Sequence, residues 1–473
     1  MPGYRERDRQ SAEYCMDEND KLSVEEIESD TLCPTAEVAG RTLFRGGALS
    51  ALRNRDFSLL WSGAFLSNTG TWIQTAALLW LVKQLTKSNT LVGTVNLANY
   101  LPVFVFVLFG GSLADRLNRK WMIVVTQSAM LLGALTLGIC TTLGVASYAV
   151  IILVSVEMGI ALAFNFPTWQ SIIPDLVPKD DLMNAVALNS AQWNLARFIG
   201  PALGGLIVRI WSVATAFYVN AASFLTVIIA VLMMKTKTPK PQKPSEGGLT
   251  HIMEGFRLVR RNRWAVTVLI VVAIASFFGL PYIVLMPSVA MDVLHRGSRA
   301  YFFLLGLSGL GAVIAAPLVT ILNRRLKERD IIKMSITGLG VFLVAFALSR
   351  TYWLSLVLSV GLGANYLMLG SSINTTLQSR FTRDKRGRIM SFYILSFMGG
   401  LALGGQFMGY IADLRSAPFS LLIGGAVCVA VAAVLMIFPG LMDDASRGSM
   451  QNDTRDCLKQ PGNQKASPRP RGR

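Results

Sequence analysis

From residue 57 onward the chain alternates long apolar runs with short polar stretches, and the runs are too long to be buried strands. A hydrocarbon core of about 30 Å takes about 20 helical residues to cross. Twelve runs suit that length, at approximately 57–82, 90–113, 121–143, 147–167, 184–208, 214–234, 264–291, 300–322, 331–349, 352–377, 388–412 and 418–438. The gaps are short, except for a stretch that opens with Lys235, Lys237, Pro239, Lys240, Pro241, Lys243 and Pro244. The pattern predicts an all-α integral membrane protein of twelve transmembrane helices. Its parts are a six-helix half over 51–234, a basic linker over 235–263 and a second six-helix half over 264–438.

Composition agrees. Of 473 residues 52% are hydrophobic and only 15% charged, against the roughly 25% charge of an ordinary soluble domain. The net charge of +17 would suggest nucleic acid on a polar chain. Here it records orientation. With both termini in the cytoplasm, the inward segments hold 33 Lys and Arg and the outward loops 7, as the positive-inside rule requires. The segment 1–50 opens with eleven acids against Arg5, Arg7, Arg9 and Lys21 in its first 40 residues and has no apolar h-region. It reads as a disordered acidic cytoplasmic extension, and 439–473 as a disordered cytoplasmic tail, solvated or regulatory. Two histidines and five scattered cysteines, without CxxC or HxxxH, give no metal site, no thiol chemistry and no cofactor to expect.

The chain also repeats itself. Asp115-Arg116-Leu117 aligns with Asn323-Arg324-Arg325, and Gln170-Ser171 with Gln378-Ser379, both 208 residues on. Gly200, Gly204 and Gly205 recur as Gly400, Gly404 and Gly405. Two related halves around an axis along the membrane normal are a transporter arrangement, with the substrate near the midplane between them.

The loop Gly110-Gly111-Ser112-Leu113-Ala114-Asp115-Arg116-Leu117-Asn118-Arg119-Lys120 resembles the loop signature of the major facilitator superfamily, with Asn118 in place of the usual Gly. The resemblance implies a conformational latch built from Gly111, Asp115, Arg116, Arg119 and Lys120, whose carboxylate meets the positive end of the eleventh helix. A plain positive-inside loop would explain the cations alone. Asn118 is read as a tolerated left-handed turn. In the fifth span, Gly200, Pro201, Gly204 and Gly205 resemble the superfamily's antiporter signature; simple helix packing is the competing reading. The run from Phe166 to Pro178, with Asn184 to Asn189, Asn194 and Arg197, resembles the branch of enterobactin-type siderophore exporters and macrolide efflux proteins. That resemblance implies a monomeric exporter of a small organic molecule, siderophore-like or antibiotic-like, driven by protons across a bacterial inner membrane. A broad multidrug or macrolide pump is the alternative, and a membrane sensor without transport is a further one. An enzyme would need a nucleophile with a His or a paired carboxylate, and no such constellation is present.

Two charges lie deep in the spans, Glu157 and Arg197. Counting 1.5 Å per residue puts both about 15–16 Å from the outer surface, on consecutive helices. Three readings stay open: a permanent buried ion pair, a proton-coupling carboxylate biased by Arg197, or a direct substrate contact at Glu157. By resemblance the cavity is lined by the first, fourth, seventh and tenth spans. Its candidates are Asn68, Thr71, Thr75, Asn165, Phe278, Tyr282, Asn365 and Tyr366, although each suits helix packing as well.

Overall fold

In a computed structural model the described residues are 49–116, 118–236, 256–260, 262–381 and 383–442, with side chains described outside 107–117 and 382–384. The segments expected to be a disordered extension and tail, apart from 49–50 and 439–442, most of the basic linker, and the side chains of the latch residues Gly111, Asp115 and Arg116 lie outside that set. The described residues form twelve long helices: α1 Arg55–Thr86, α2 Asn89–Arg116, α3 Arg119–Thr142, α4 Tyr148–Leu176, α5 Leu182–Ile210 and α6 Val213–Met233, then α7 Arg263–Val293, α8 Gly297–Arg325, α9 Glu328–Leu348, α10 Tyr352–Arg380, α11 Arg383–Leu414 and α12 Ala417–Ile437. Nine of them are long and apolar enough to cross a membrane. In α1, α2 and α5, which fall short over their described residues, polar residues such as Asn, Gln and Thr interrupt the apolar sequence.

Ser and Asn stand at the helix starts. Ser147, Ser212, Asn262 and Ser416 cap α4, α6, α7 and α12 by accepting from backbone N–H groups of the first turn. Asn118 does the same for α3, accepting from the N–H groups of Lys120 and Trp121. Its φ of −67° is ordinary extended backbone, so the expected left-handed turn is not there; the amide is a helix cap. Helix α7 is irregular, with π-helical turns at Ala275–Gly279 and Val289–Val293 flanking Tyr282–Ser288.

The packing has a two-fold pattern. In the first half α1 packs on α5 and α6, α2 on α4, and α3 on α4 and α6. Adding six to each number gives the contacts of the second half: α7 with α11 and α12, α8 with α10, and α9 with α10 and α12. Across the halves α2 packs on α11 and α5 on α8, again a symmetric pair. This is the two-half, twelve-helix architecture that the internal repeat predicts. One face of the bundle carries both ends of the described chain and the α6–α7 connection, and is called the terminal face below; the other is the far face. At the terminal face the first half is tied by Asp56 of α1, which accepts from Thr236 N at 2.7 Å and Thr236 Oγ1 at 2.6 Å. Burial pushes this carboxyl up, but the hydrogen bonds from Thr236 and Lys235 and the charge of Arg55 outweigh it and hold Asp56 below the usual carboxylate range.

Candidate functional site at the junction of the halves

Glycines set how closely the halves approach. A Cβ on Gly309 of α8 would stand 2.6 Å from the carbonyl oxygen of Arg197 and from Phe198 Cα, and one on Gly200 would stand 2.5 Å from Trp72 Cβ of α1. A Cβ on Gly205 would meet Phe302 of α8 at 2.8 Å, with Gly204 facing the same ring. The Gly-Pro-x-x-Gly-Gly run therefore lies against α1 on one side and the opposite half on the other. Helix α5 continues through Pro201 to Ile210.

This close approach carries Arg197, only 3% exposed, into the junction. Its Nη2 donates to Tyr282 Oη of α7 at 3.2 Å and to Ser308 Oγ of α8 at 3.5 Å, and those two hydroxyls lie 2.7 Å apart. The guanidinium carbon sits 4.5 Å from the ring centre of Tyr366 of α10 and 5.5 Å from that of Trp72. Tyr100 of α2 and Tyr393 of α11 complete the aromatic surroundings, both within electrostatic range of Tyr366. A cation at membrane depth costs about 2.5–3.5 kcal/mol on insertion scales, and a desolvated cation–π contact returns about 2 kcal/mol or more. Rings and neutral hydroxyls thus offset part of the charge. Among the described residues no carboxylate lies within ion-pair distance of Arg197, while its Nε and Trp72 Nε1 are buried without an acceptor.

Glu157 is elsewhere. Its two carboxylate oxygens are buried and make no hydrogen bond among the described residues, and a Cβ on Gly133 of α3 would run into one of them. The carboxylate thus faces the α3–α4 seam while Arg197 faces the other half. The buried ion pair is therefore corrected: both residues have similar depth, but their helices turn them to different neighbours.

The remaining cavity candidates divide. Tyr282 and Tyr366 belong to the arginine cluster. Phe278 packs with Phe277 and, across to α11, with Phe407, their centroids 4.8 and 6.3 Å away. Asn165 is not a cavity group: it is 8% exposed and donates to Thr126 Oγ1 of α3 at 2.8 Å. Asn365 donates to the Gly361 carbonyl one turn back and lies against Gly338 of α9, so it too is a packing residue. Thr71 and Thr75 turn their hydroxyls to the carbonyls of Ser67 and Thr71, and Asn68 is half-buried. Of the latch cations, Arg119 pairs with Asp175 of α4 at 2.6 Å and Lys120 donates to the Met234 carbonyl at 2.8 Å, both inside the first half.

Sequence reasoning missed a second junction, at the far face. Asp413 at the end of α11 accepts from Ser88 Oγ at 2.5 Å, Asn89 N at 2.7 Å and Thr90 N at 2.8 Å, so a carboxylate of the second half caps α2 of the first. Lys83 of α1, 3% exposed, reaches Asp292 of α7 at 2.9 Å and also donates to the Lys87 carbonyl and Asn89 Oδ1. Ser288 hydrogen-bonds Asn89, and Trp80 stacks on Tyr301. A signal was available: Lys83 closes an apolar run, and Ser88-Asn89-Thr90 reads as a helix start.

Comparison with known proteins places this geometry in a context. A family model described as transmembrane secretion effector matches residues 46–460. Among curated proteins, the staphyloferrin A transporter of Staphylococcus aureus is 25% identical over 78% of this chain and 93% of its own length. The enterobactin exporter EntS of Shigella boydii is 27% identical over 76% and 87%, and macrolide efflux protein A of Streptococcus pyogenes 21% over 80% and 94%. Among solved structures, a POT family transporter in complex with 5-aminolevulinic acid superposes with a TM-score of 0.67 at 12% identity, over 82% of this chain and 97% of that one.

Proposed function

Because the chain belongs to the transmembrane secretion effector family of the major facilitator superfamily, we propose that it exports a small organic molecule from the cytoplasm by alternating access, in exchange for protons. The observation that carries the reading is the junction itself: Arg197 is held between the halves by Tyr282, Ser308 and Tyr366, beneath a far-face closure made by Lys83, Asp292 and Asp413. Substrate at that level contacts both halves, and rocking breaks one set of cross-half contacts to admit it from the other side. The count of basic residues supports a cytoplasmic terminal face in a bacterial inner membrane, which makes the far face the outer one. Glu157 is the proton carrier of the reading, because a membrane carboxylate without a partner among the described residues calls for a function. Gly200, Pro201, Gly204 and Gly205 form the seam along which α5 and α8 move, and the segment from Gly111 to Lys120 is the latch at the cytoplasmic side. One chain is the working unit.

The relatives named for staphyloferrin and enterobactin support a siderophore-like cargo. The relative named for macrolides supports broader drug efflux as the second reading. The test is flux into inverted vesicles under an imposed pH gradient, with a catecholate siderophore, a macrolide and a cationic dye offered in parallel. Gradient-dependent uptake of the siderophore alone supports the first reading and uptake of several compounds the second. Absence of flux for every compound would sink both and leave a sensor.

A further inference from the structure

The arginine cluster has an excess of donors, and the excess says what binds there. Arg197 is 3% exposed and brings a permanent charge to the junction, but its hydrogen-bonding neighbours are the neutral hydroxyls of Tyr282, Ser308 and Tyr366. Two N–H groups, Arg197 Nε and the Nε1 of Trp72, whose ring centre lies 5.5 Å from the guanidinium carbon, are buried with no acceptor among the described residues. Buried donors in proteins are nearly always satisfied, so two orphans around one uncompensated cation mark a missing acceptor that carries negative charge. The nearest carboxylate in depth, Glu157, is turned to Gly133 and makes no hydrogen bond among the described residues. Other titratable groups around the guanidinium are phenols: Tyr282 and Tyr366, with Tyr100 in electrostatic range. These add donors and rings, not negative charge.

We infer that Arg197 is the anchor for an anionic group of the cargo, a carboxylate or another pair of neighbouring oxygens that the planar guanidinium fork can hold on two bonds, with Trp72 Nε1 as an additional donor. The site is shared, since Trp72 and Arg197 come from the first half and Tyr282, Ser308 and Tyr366 from the second. An anion bound there bridges the halves, and the Trp72 and Tyr366 rings provide apolar walls for the rest of the molecule. The same field repels cations. The inference rests on the export reading and narrows it to organic anions, against the cationic dyes of a broad pump.

Binding and flux separate the two. The full chain is reconstituted and offered citrate, 2,3-dihydroxybenzoate and ethidium as probes, with Arg197→Lys, Arg197→Gln and Ser308→Ala beside the wild type. The expected result is that at least one anion binds the wild type. Arg197→Gln weakens that anion by at least about tenfold, the size expected when one partner of a buried charge pair is removed, and Arg197→Lys falls between. Ethidium binding does not weaken. Ser308→Ala serves if Arg197→Gln fails to fold, because it removes a hydroxyl that fixes the guanidinium's position without removing its charge; it is expected to weaken the anion several-fold and leave ethidium unchanged. Equal anion affinity in wild type and the folded variants, or ethidium as the sole bound probe, would overturn the anion site. Arg197-dependent anion binding without flux of any probe would leave the site standing and overturn export instead.

Discussion

Lys83 and Asp292 meet at 2.9 Å across the two halves, and they are unequally placed: the lysine side chain is 4% exposed and the aspartate 54%. Removing Lys83 leaves a half-solvated carboxylate. Removing Asp292 leaves a nearly buried ammonium with only the Lys87 carbonyl and Asn89 amide as acceptors. We expect Asp292→Asn to destabilise the protein by about 1–3 kcal/mol and Lys83→Gln by less, read as melting temperatures in the same detergent. A larger loss for Lys83→Gln would contradict this account of the pair.

Asp413 is a capping residue supplied by the opposite half. Asp413→Asn keeps the shape but loses the charge that faces the first N–H groups of α2. The cost is about 1–2 kcal/mol, equivalent to a roughly 5- to 30-fold shift away from far-face closure. Spin labels on the α1–α2 and α11–α12 connections report that distance directly. An unchanged distance distribution would remove Asp413 from the closure.

The α5–α8 seam tolerates no extra methyl group at Gly309. A Cβ there would lie 2.6 Å from backbone and not from a flexible side-chain tip, so Gly309→Ala forces the helices apart. A loss of about 1–3 kcal/mol is expected, with increased labelling of cysteines introduced at the far face. Gly387, where a Cβ would meet nothing within 4 Å, is the control. Gly387→Ala should be neutral or stabilising by up to about 1 kcal/mol, from its greater helix propensity.

Glu157→Gln separates proton coupling from structure. With no hydrogen bond to lose among the described residues, the variant should fold at least as well as the wild type, while flux stops responding to the pH gradient and cargo still binds. Because Glu157 and Arg197 are not paired, exchanging the two residues should rescue nothing. Wild-type gradient dependence in Glu157→Gln would remove this residue from the coupling mechanism.

Much of the fold was legible because it is written in quantities that a linear sequence contains. Run length gives the helices, the 208-residue offset relates the halves, and the glycine run marks the seam against α8. Depth is legible in the same way, since each residue rises 1.5 Å. Rotation is not. Glu157 and Arg197 share a level, yet which neighbour each faces depends on how α4 and α5 are turned, and that is settled by packing partners far along the chain. Asn165 and Asn365 show the same limit: a polar residue in a membrane helix serves a cavity or a neighbouring helix, and here the choice went to Thr126 and Gly338. The far-face closure was hidden because its members are 199 to 325 residues apart.

That separation matters during synthesis. The opening turn of α2 has Ser88 Oγ accepting from Leu91, but the N–H groups of Asn89 and Thr90 find their acceptor on a side chain 324 and 323 residues downstream. When α2 leaves the ribosome, that acceptor has not yet been translated. The first half therefore enters the bilayer with one helix unfinished, and its last two backbone bonds form only when the penultimate span arrives.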